Sequence, residues 1–235
     1  MTLQSATLQP SAPLRSRSDH VGVAAEFNRL VDEQAALSRD QLNALHKQWF
    51  GPQGLFATFS AEVERLGRQA PALDDLTWLD SPQRLQEAER AVAFALAQSN
   101  RRGAAVNPFS GRARHDLCCV VFDETGAYTL VERYAAYEAM RQSDSDFFIK
   151  LIATTRGVVE RRIVFRGLLE HFDRLLPVEK SIYPGAYREV QQAHLDREEG
   201  LYGPLTLSES LVALLETVSP VELLKLTQRC ADSLA

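Results

Sequence analysis

Apolar residues recur at helical spacing through residues 19–100, and capping residues separate the successive runs. Ser38 with Gln41 forms a capping box, in which a side chain at each position satisfies a free backbone amide of the first helical turn. Ser81 and Pro82 open a later run, with serine as the cap and proline in the first turn. This part of the chain is therefore predicted to form four helices joined by short links.

A different pattern begins at residues 117–122, which form a continuous apolar run. A run of this length, bounded by turn residues and containing β-branched side chains, is typical of a buried strand. Residues 123–126 read as a turn whose glycine takes a positive φ, and residues 128–131 read as the return strand. The sequence thus predicts an α+β fold that is predominantly helical, with a helical N-terminal half, one central β-hairpin and a helical C-terminal half.

The C-terminal half is predicted to consist of helices again. A short helix should follow the hairpin over residues 132–142, and the polar residues 143–146 should interrupt the chain before the next helix. The last two helices are predicted to open at Thr206 and Ser219, because each is followed by glutamate three positions later.

Residues 1–18 are rich in Ser, Thr, Gln, Pro and Arg and hold few apolar side chains. They bury too little surface to offset the entropy of ordering, so they are predicted to form a disordered tail. Composition does not separate an ordinary frayed terminus from the leader of a protein exported by bacteria. Residues 19–235 are predicted to be a single globular domain, comprising the helical half 19–100 and the hairpin with its helices, 101–235.

Composition narrows the class of protein. Hydrophobic residues make up 45% of the chain and charged residues 24%, which is ordinary for a folded domain. The net charge of -5 provides no general attraction to nucleic acid, so nucleic acid is not an expected partner. No apolar stretch reaches the length of a membrane span. A cytoplasmic location is expected, with bacterial export as the alternative.

The cysteines are Cys118, Cys119 and Cys230, an odd number with two of them adjacent. This usage does not suit a disulfide framework. Histidine and cysteine show no metal-ligand spacing, so neither a metal nor a cofactor is predicted. Buried cysteines generally behave as small hydrophobic residues, and no histidine forms a local pair with a cysteine, although the fold could bring His171 or His194 close to one.

Polar residues are most concentrated between residues 107 and 133, where a catalytic group could sit at the ends of the predicted strands. His115, Asp123 and Glu132 are the weak catalytic candidates. His115 next to Asp116 could form an acid–base pair, but neighbouring side chains of a strand point to opposite faces.

The same segment holds arginines and aromatic residues of the kind that dominate binding interfaces. Arg133 is of particular interest, because the helix dipole at its position favours acidic rather than basic groups. It should therefore hold a carboxylate such as Asp123 or Glu124, or else an anionic partner. The predicted binding residues are Arg112, Arg114, Tyr128, Arg133, Tyr134 and Tyr137.

A separate basic cluster comprises Arg156, Arg161, Arg162 and Arg166. It suits either a phosphate or acidic partner, or an ordinary solvated helix face paired with the many acids nearby.

Three functions remain open at this point. The first is a non-enzymatic protein-interaction or regulatory module of bacterial type, with a protein partner docking around the hairpin. The second is a small hydrolase or transferase with its site in residues 107–133, which would require its catalytic side chains to converge in a deep pocket. The third is an exported effector-like protein with an unfolded N-terminal leader. The sequence gives neither the partner nor the oligomeric state.

Overall fold

The computed structural model describes residues 17–73, 76, 79, 81–100, 105–153, 161–207, 209–223 and 225. Throughout these residues the regular structure is helical, and they contain no strand. The helices are α1 (Arg17–Ala35), α2 (Arg39–Phe50), α3 (Leu55–Leu66), α4 (Pro82–Asn100), α5 (Arg114–Val121), α6 (Leu130–Ala153), α7 (Arg161–Asp173), α8 (Pro177–Lys180), α9 (Tyr187–Tyr202) and α10 (Leu211–Thr217). Short 3-10 turns at Gly67–Gln69 and Pro71–Leu73 follow α3.

The predicted central hairpin is wrong, and the α+β class is corrected to an all-helical architecture for the described residues. The apolar run at residues 117–122 lies mostly within α5, which packs against both α1 and α6. Each of its last five residues is buried, so no polar face remains to reveal the helical period. A short apolar run of this kind cannot be assigned by periodicity alone. The capping residue Ala113 also provides no side-chain cap.

The predicted return strand is instead the start of α6. Thr129 and Glu132 form a capping box, in which the Thr129 amide and hydroxyl donate to Glu132 Oε2 at 2.9 and 2.8 Å. The predicted turn is present and joins two helices. Asp123 accepts hydrogen bonds from the amides of Thr125 and Tyr128, at 2.9 and 2.8 Å, and Gly126 has a φ of 77°.

The interruption predicted at residues 143–146 is also wrong, since α6 runs unbroken for 24 residues. Its polar middle is tolerated because these side chains form pairs with neighbouring helices and within α6 itself. Asp144 pairs with Arg114 of α5, and Asp146 accepts a hydrogen bond from Gln142 at 2.8 Å. A polar segment inside this helix therefore marks a contact between elements rather than a helix end.

The larger hydrophobic core lies among α1–α6 and α8. Helix α6 contacts α4 and α5, and α5 also contacts α1. Aromatic side chains from four elements meet in this core, with the Trp49 and Phe122 rings 5.2 Å apart and the Phe59 and Tyr134 rings 4.8 Å apart. Its buried side chains include Trp49, Phe56, Phe59, Val92, Phe109, Leu117, Val121, Phe122, Tyr134 and Val178.

A second, smaller core joins the end of α6 to α7, α10 and the loop before α10. Gly167 permits a close crossing here, because a Cβ at this position would lie 2.7 Å from Leu151 Cδ1. Helix α6 therefore contributes to both cores, through its first half to the larger and through Leu151 to the smaller. The buried members are Leu151, Ile163, Leu205, Leu211, Leu214, Leu215 and Leu223.

The predictions from capping residues have mixed outcomes. The capping box of Ser38 and Gln41 is confirmed, and the Ser219 hydroxyl donates to Glu222 Oε2 at 2.7 Å as predicted. The opening predicted at Thr206 is wrong, because α10 begins at Leu211 with Ser210 as its cap.

Helix α1 already begins at Arg17, while residues 1–16 of the predicted tail lie outside the described residues. Among the helices that the structure describes, none is long and apolar enough to cross a membrane.

Candidate functional site

A cleft of about 610 Å³ opens beside the polar middle of α6, between the two hydrophobic cores. We call it the junction cleft. The residues before and at the start of α5 form one wall, and the end of α7 and helix α10 form the other. Its lining includes Ser110, Gly111, Arg112, Ala113, Arg114, Gln142, Ser143, Asp144, Asp146, Phe147, Lys150, His171, Arg174, Val212, Leu215 and Glu216.

The base of the junction cleft is held by a buried ion network centred on Arg114. One terminal nitrogen of its guanidinium donates to Asp144 of α6, and the other donates to Glu179 of α8. Glu179 also accepts from the Leu176 amide at 2.8 Å, which caps α8. Burial raises the pKa of Glu179 above its ordinary value, and the charge of Arg114 opposes that rise. The network therefore links three helices at the boundary between the cores.

His171 lies beside this network and lines the junction cleft. Its ring packs against those of Phe147 and Phe148, at centroid distances of 5.3 and 4.7 Å. Burial lowers the pKa of His171 to about 4, and the charges of Arg114 and Arg174 act in the same direction. The imidazole is consequently neutral near pH 7.

The predicted binding residues divide between the junction cleft and the larger core. Arg112 and Arg114 line the cleft, where Arg112 pairs with Glu87 at 2.9 Å. Tyr128 lies elsewhere, beneath Arg84, whose guanidinium carbon is 4.7 Å from the ring centre. The predicted patch is therefore not one continuous surface.

Arg133 is placed at the end of α5 rather than against an anion. Its Nε donates to the carbonyl of Val121 at 3.2 Å, and its guanidinium carbon is 4.5 Å from the centre of the Trp49 ring. Burial lowers the pKa of Arg133, while the charges of Asp123 and Glu124 oppose this. The positive charge of Arg133 is unfavourable at the start of its own helix, α6. The same charge is favourable at the C-terminal end of α5, where free carbonyls concentrate negative charge.

Tyr134 and Tyr137 line a smaller groove of about 340 Å³ on the other side of α6. The Tyr137 ring stacks on that of Phe56 at 4.6 Å and on that of Phe50 at 5.1 Å. Tyr134 is buried at 7% exposure and belongs to the larger core. Most of this aromatic surface is therefore used in packing.

The weak catalytic candidates do not converge. Asp123 caps a turn, and Glu132 caps α6 while pairing with Arg84 at 3.1 Å. His115 is exposed, and its Nε2 lies 3.0 Å from Asp116. The expectation that these two neighbours would point apart is wrong, because it assumed a strand where the chain forms a helix.

The cysteines of α5 are buried, and Cys230 lies outside the described residues. Burial raises the pKa of Cys118 far above its ordinary value and that of Cys119 to about 12. Both are protonated near neutral pH, so they lack the thiolate that a nucleophile or metal ligand requires. No cluster that could hold a metal ion occurs among the described residues.

The basic cluster forms intramolecular contacts wherever it is described. Arg161 pairs with Glu198 at 3.4 Å, and Arg162 donates to the carbonyls at the end of α9. Arg166 pairs with Glu170 at 3.0 Å. Arg156 lies outside the described residues.

Sequence reasoning missed the contribution of Asp144, His171 and Glu179 to the site. Arg114 is separated by 30 residues from Asp144 and by 65 from Glu179, so spacing along the chain could not bring them together. The position of Glu179 after Pro177 was a sign of a helix start but not of an ion network.

Comparisons of the chain with protein families, with curated proteins and with solved structures found no match.

Proposed function

We propose that this protein is a non-enzymatic regulatory binding module whose small ligand occupies the junction cleft. The observation that carries the proposal is the cleft itself, about 610 Å³ between two hydrophobic cores with a buried ion network at its base. Small-molecule sites commonly have this volume and lie where structural units meet. The proposed binding site is thus the junction cleft, and not the region of the predicted hairpin.

Regulation follows from what the cleft connects. Its walls belong to α5 and α6 on one side and to α7 and α10 on the other, and α6 contributes to both cores. A ligand that contacts both walls at once would favour the conformation in which the distance between the walls matches the size of the ligand. Such differential contact is what allows a ligand to shift a conformational equilibrium.

Two of the earlier alternatives have weaker support. A hydrolase or transferase within residues 107–133 would need its acid and base to meet in a pocket, whereas Asp123 and Glu132 are occupied as caps. A protein partner around Arg133 and Tyr134 would find side chains already packed inside the protein. A cytoplasmic location and the alternative of export stay predictions, because residues 1–16 lie outside the described residues.

A thermal-shift screen with a cleft-blocking variant tests the proposal. Ser143 is exposed on α6 and lines the cleft, so Ser143→Trp should fill it without disturbing a core. Ser145 is exposed on the same helix and does not line the cleft, which makes Ser145→Trp the matched control. Phosphorylated, carboxylated, cationic and uncharged small molecules would be screened against the three proteins.

The expected result is at least one compound that raises the melting temperature of the wild-type protein and of Ser145→Trp, but not that of Ser143→Trp. Stabilisation of all three proteins alike, or of none by any compound, would contradict the proposed function.

A further inference from the structure

The basic residues of the junction cleft differ in whether they already have a partner. Four basic side chains line it, Arg112, Arg114, Lys150 and Arg174. Arg112 and Arg114 are in ion pairs, and Lys150 donates to a carbonyl of α10 at 2.6 Å. The Arg174 side chain is exposed and makes no hydrogen bond or ion pair with the described part of the chain. A positive group is therefore available at the end of α7.

His171 is the second group at this place that lacks a hydrogen-bond partner. Its side chain is only 9% exposed, and it makes no hydrogen bond to the described residues. The nearest carboxylate oxygen, Oδ1 of Asp144, is 3.7 Å from Nε2, which is too long for a hydrogen bond. Buried polar groups normally have a partner, and one that lacks it points to a ligand or to another functional role.

The start of α5 adds backbone donors on the opposite wall of the cleft. Gly111, Arg112, Ala113 and Arg114 all line the cleft. Amides in the first turn of a helix have no acceptor within the helix, and Ala113 supplies no side-chain oxygen to cap them. A helix start favours an anion, and α5 has one acidic side chain of its own, Asp116, in this turn.

The charged groups around His171 have both signs, since Asp146 and Glu216 line the cleft as well as Asp144 and the basic side chains. Arg114 and Arg174 both disfavour protonation of its imidazole, while Asp144 opposes them. Asp144 and Glu179 share the single positive charge of Arg114. Arg174 remains the cation that a ligand can engage.

We propose that the small ligand of the junction cleft carries an oxyanion, a phosphate, sulfate or carboxylate group, which Arg174, His171 and the first turn of α5 bind together. This inference rests on the proposed function and specifies the chemistry of its ligand. Arg174 contributes charge, and the α5 amides contribute hydrogen bonds. A bound anion raises the pKa of the His171 imidazole, because nearby negative charge stabilises its protonated form.

Sulfate is the first probe, because it keeps its charge across the range in which histidine titrates. It would be titrated by calorimetry, in chloride buffer of constant ionic strength, into the wild-type protein, Arg174→Gln and Arg197→Gln. Arg197 is exposed on α9 and does not line the cleft, so its variant controls for loss of one positive charge. Acetate, titrated in the same way, separates a preference for tetrahedral anions from one for planar carboxylates.

We expect Arg174→Gln to weaken binding of the preferred anion by about tenfold, and Arg197→Gln to leave it unchanged. The imidazole signal of His171, assigned by its loss in His171→Gln, should titrate at higher pH in saturating anion. Binding should therefore be tighter at about pH 5 than at about pH 7 in the wild-type protein but not in His171→Gln.

Equal weakening by both arginine variants would overturn the inference, since it would reveal only general charge attraction. An unchanged His171 titration in saturating anion would also overturn it. Failure of both anions to bind, while other compounds stabilise the wild-type protein but not Ser143→Trp, would reject the oxyanion and leave the proposed function intact. Failure of every compound in both experiments would reject the two proposals together.

Discussion

The Nε atom of Arg133 donates a hydrogen bond to the carbonyl of Val121, 3.2 Å away, and thereby joins the first turn of α6 to the last turn of α5. The guanidinium also lies over the ring of Trp49, so a single side chain ties α2, α5 and α6 together. The carbonyl of Val121 lies in the last turn of α5, where the helix itself provides no donor, and Arg133 provides one.

Arg133→Ala should therefore lower the free energy of unfolding by about 1–3 kcal/mol, from loss of a charge-assisted hydrogen bond and a cation–π contact. Urea denaturation measures the change. Arg141→Ala is the control, because Arg141 is an exposed arginine of the same helix and should lose less than about 1 kcal/mol. Equal losses in the two variants would show that Arg133 has no special structural role.

Glu132 should be among the polar side chains most important for stability. It is fully buried, and its Oε2 receives the Thr129 amide and hydroxyl as well as Arg84. Glu132→Ala should cost about 3–5 kcal/mol, because it removes a helix cap and breaks a buried ion pair. Glu132→Gln should cost less, since an amide oxygen can still accept from Thr129. Denaturant melts that rank Glu132→Gln at or below Glu132→Ala in stability would contradict this account.

Stability should fall in mild acid because of His171. Its pKa is about 4 in the folded protein and starts from an ordinary value of 6.5. Between these values the unfolded chain binds a proton that the folded protein does not, so the free energy of unfolding decreases as pH falls through this window. The stability that depends on a neutral His171 is fully present above about pH 6.5, and its loss through this window amounts to roughly 3 kcal/mol.

The raised pKa of Glu179 acts in the opposite sense, because the folded protein retains that proton to higher pH. The wild-type profile alone therefore does not isolate His171. Unfolding free energies measured from about pH 4 to 7 should decline more steeply towards acid in the wild-type protein than in His171→Gln. Parallel profiles would show that His171 titrates normally.

The parts of the fold that the sequence predicts well are those with local chemical signals. The capping box at Ser38 and the helix start at Pro82 depend on neighbouring residues, and both are confirmed. Helix α5 is different, because burial on all sides removes the polar face that a periodic pattern requires. The Thr129–Glu132 capping box was present in the sequence, but the apolar run before it favoured a hairpin.

The site was only partly predictable for a related reason. The sequence predicts Arg112 and Arg114 as binding residues, and both line the junction cleft. The sequence pattern predicts a helix break at Asp144, whereas its pairing with Arg114 depends on how α5 packs against α6. Tertiary packing of this kind has no signature in local spacing, so a polar residue in mid-helix and its distant partner can be recognised only together.

Two glycines provide the sharpest test of the smaller core. A Cβ on Gly167 would lie 2.7 Å from Leu151 Cδ1 and 3.0 Å from Leu211 Cδ2, whereas a Cβ on Gly200 of α9 would meet nothing within 4 Å. Alanine is favoured over glycine within a helix by about 1 kcal/mol, which both substitutions gain. Overpacking costs about 1–3 kcal/mol and applies only at Gly167.

Gly200→Ala should therefore be neutral or stabilising, and Gly167→Ala should be less stable than Gly200→Ala by about 1–3 kcal/mol in urea denaturation. Shortening the neighbouring side chain should relieve the contact, so the cost of Gly167→Ala should shrink when Leu151→Val is present. Non-additivity of this sign is the mark of two residues in direct contact. Strictly additive effects, or equal stability of the two glycine variants, would mean that α7 does not cross α6 as closely as the position of Gly167 requires.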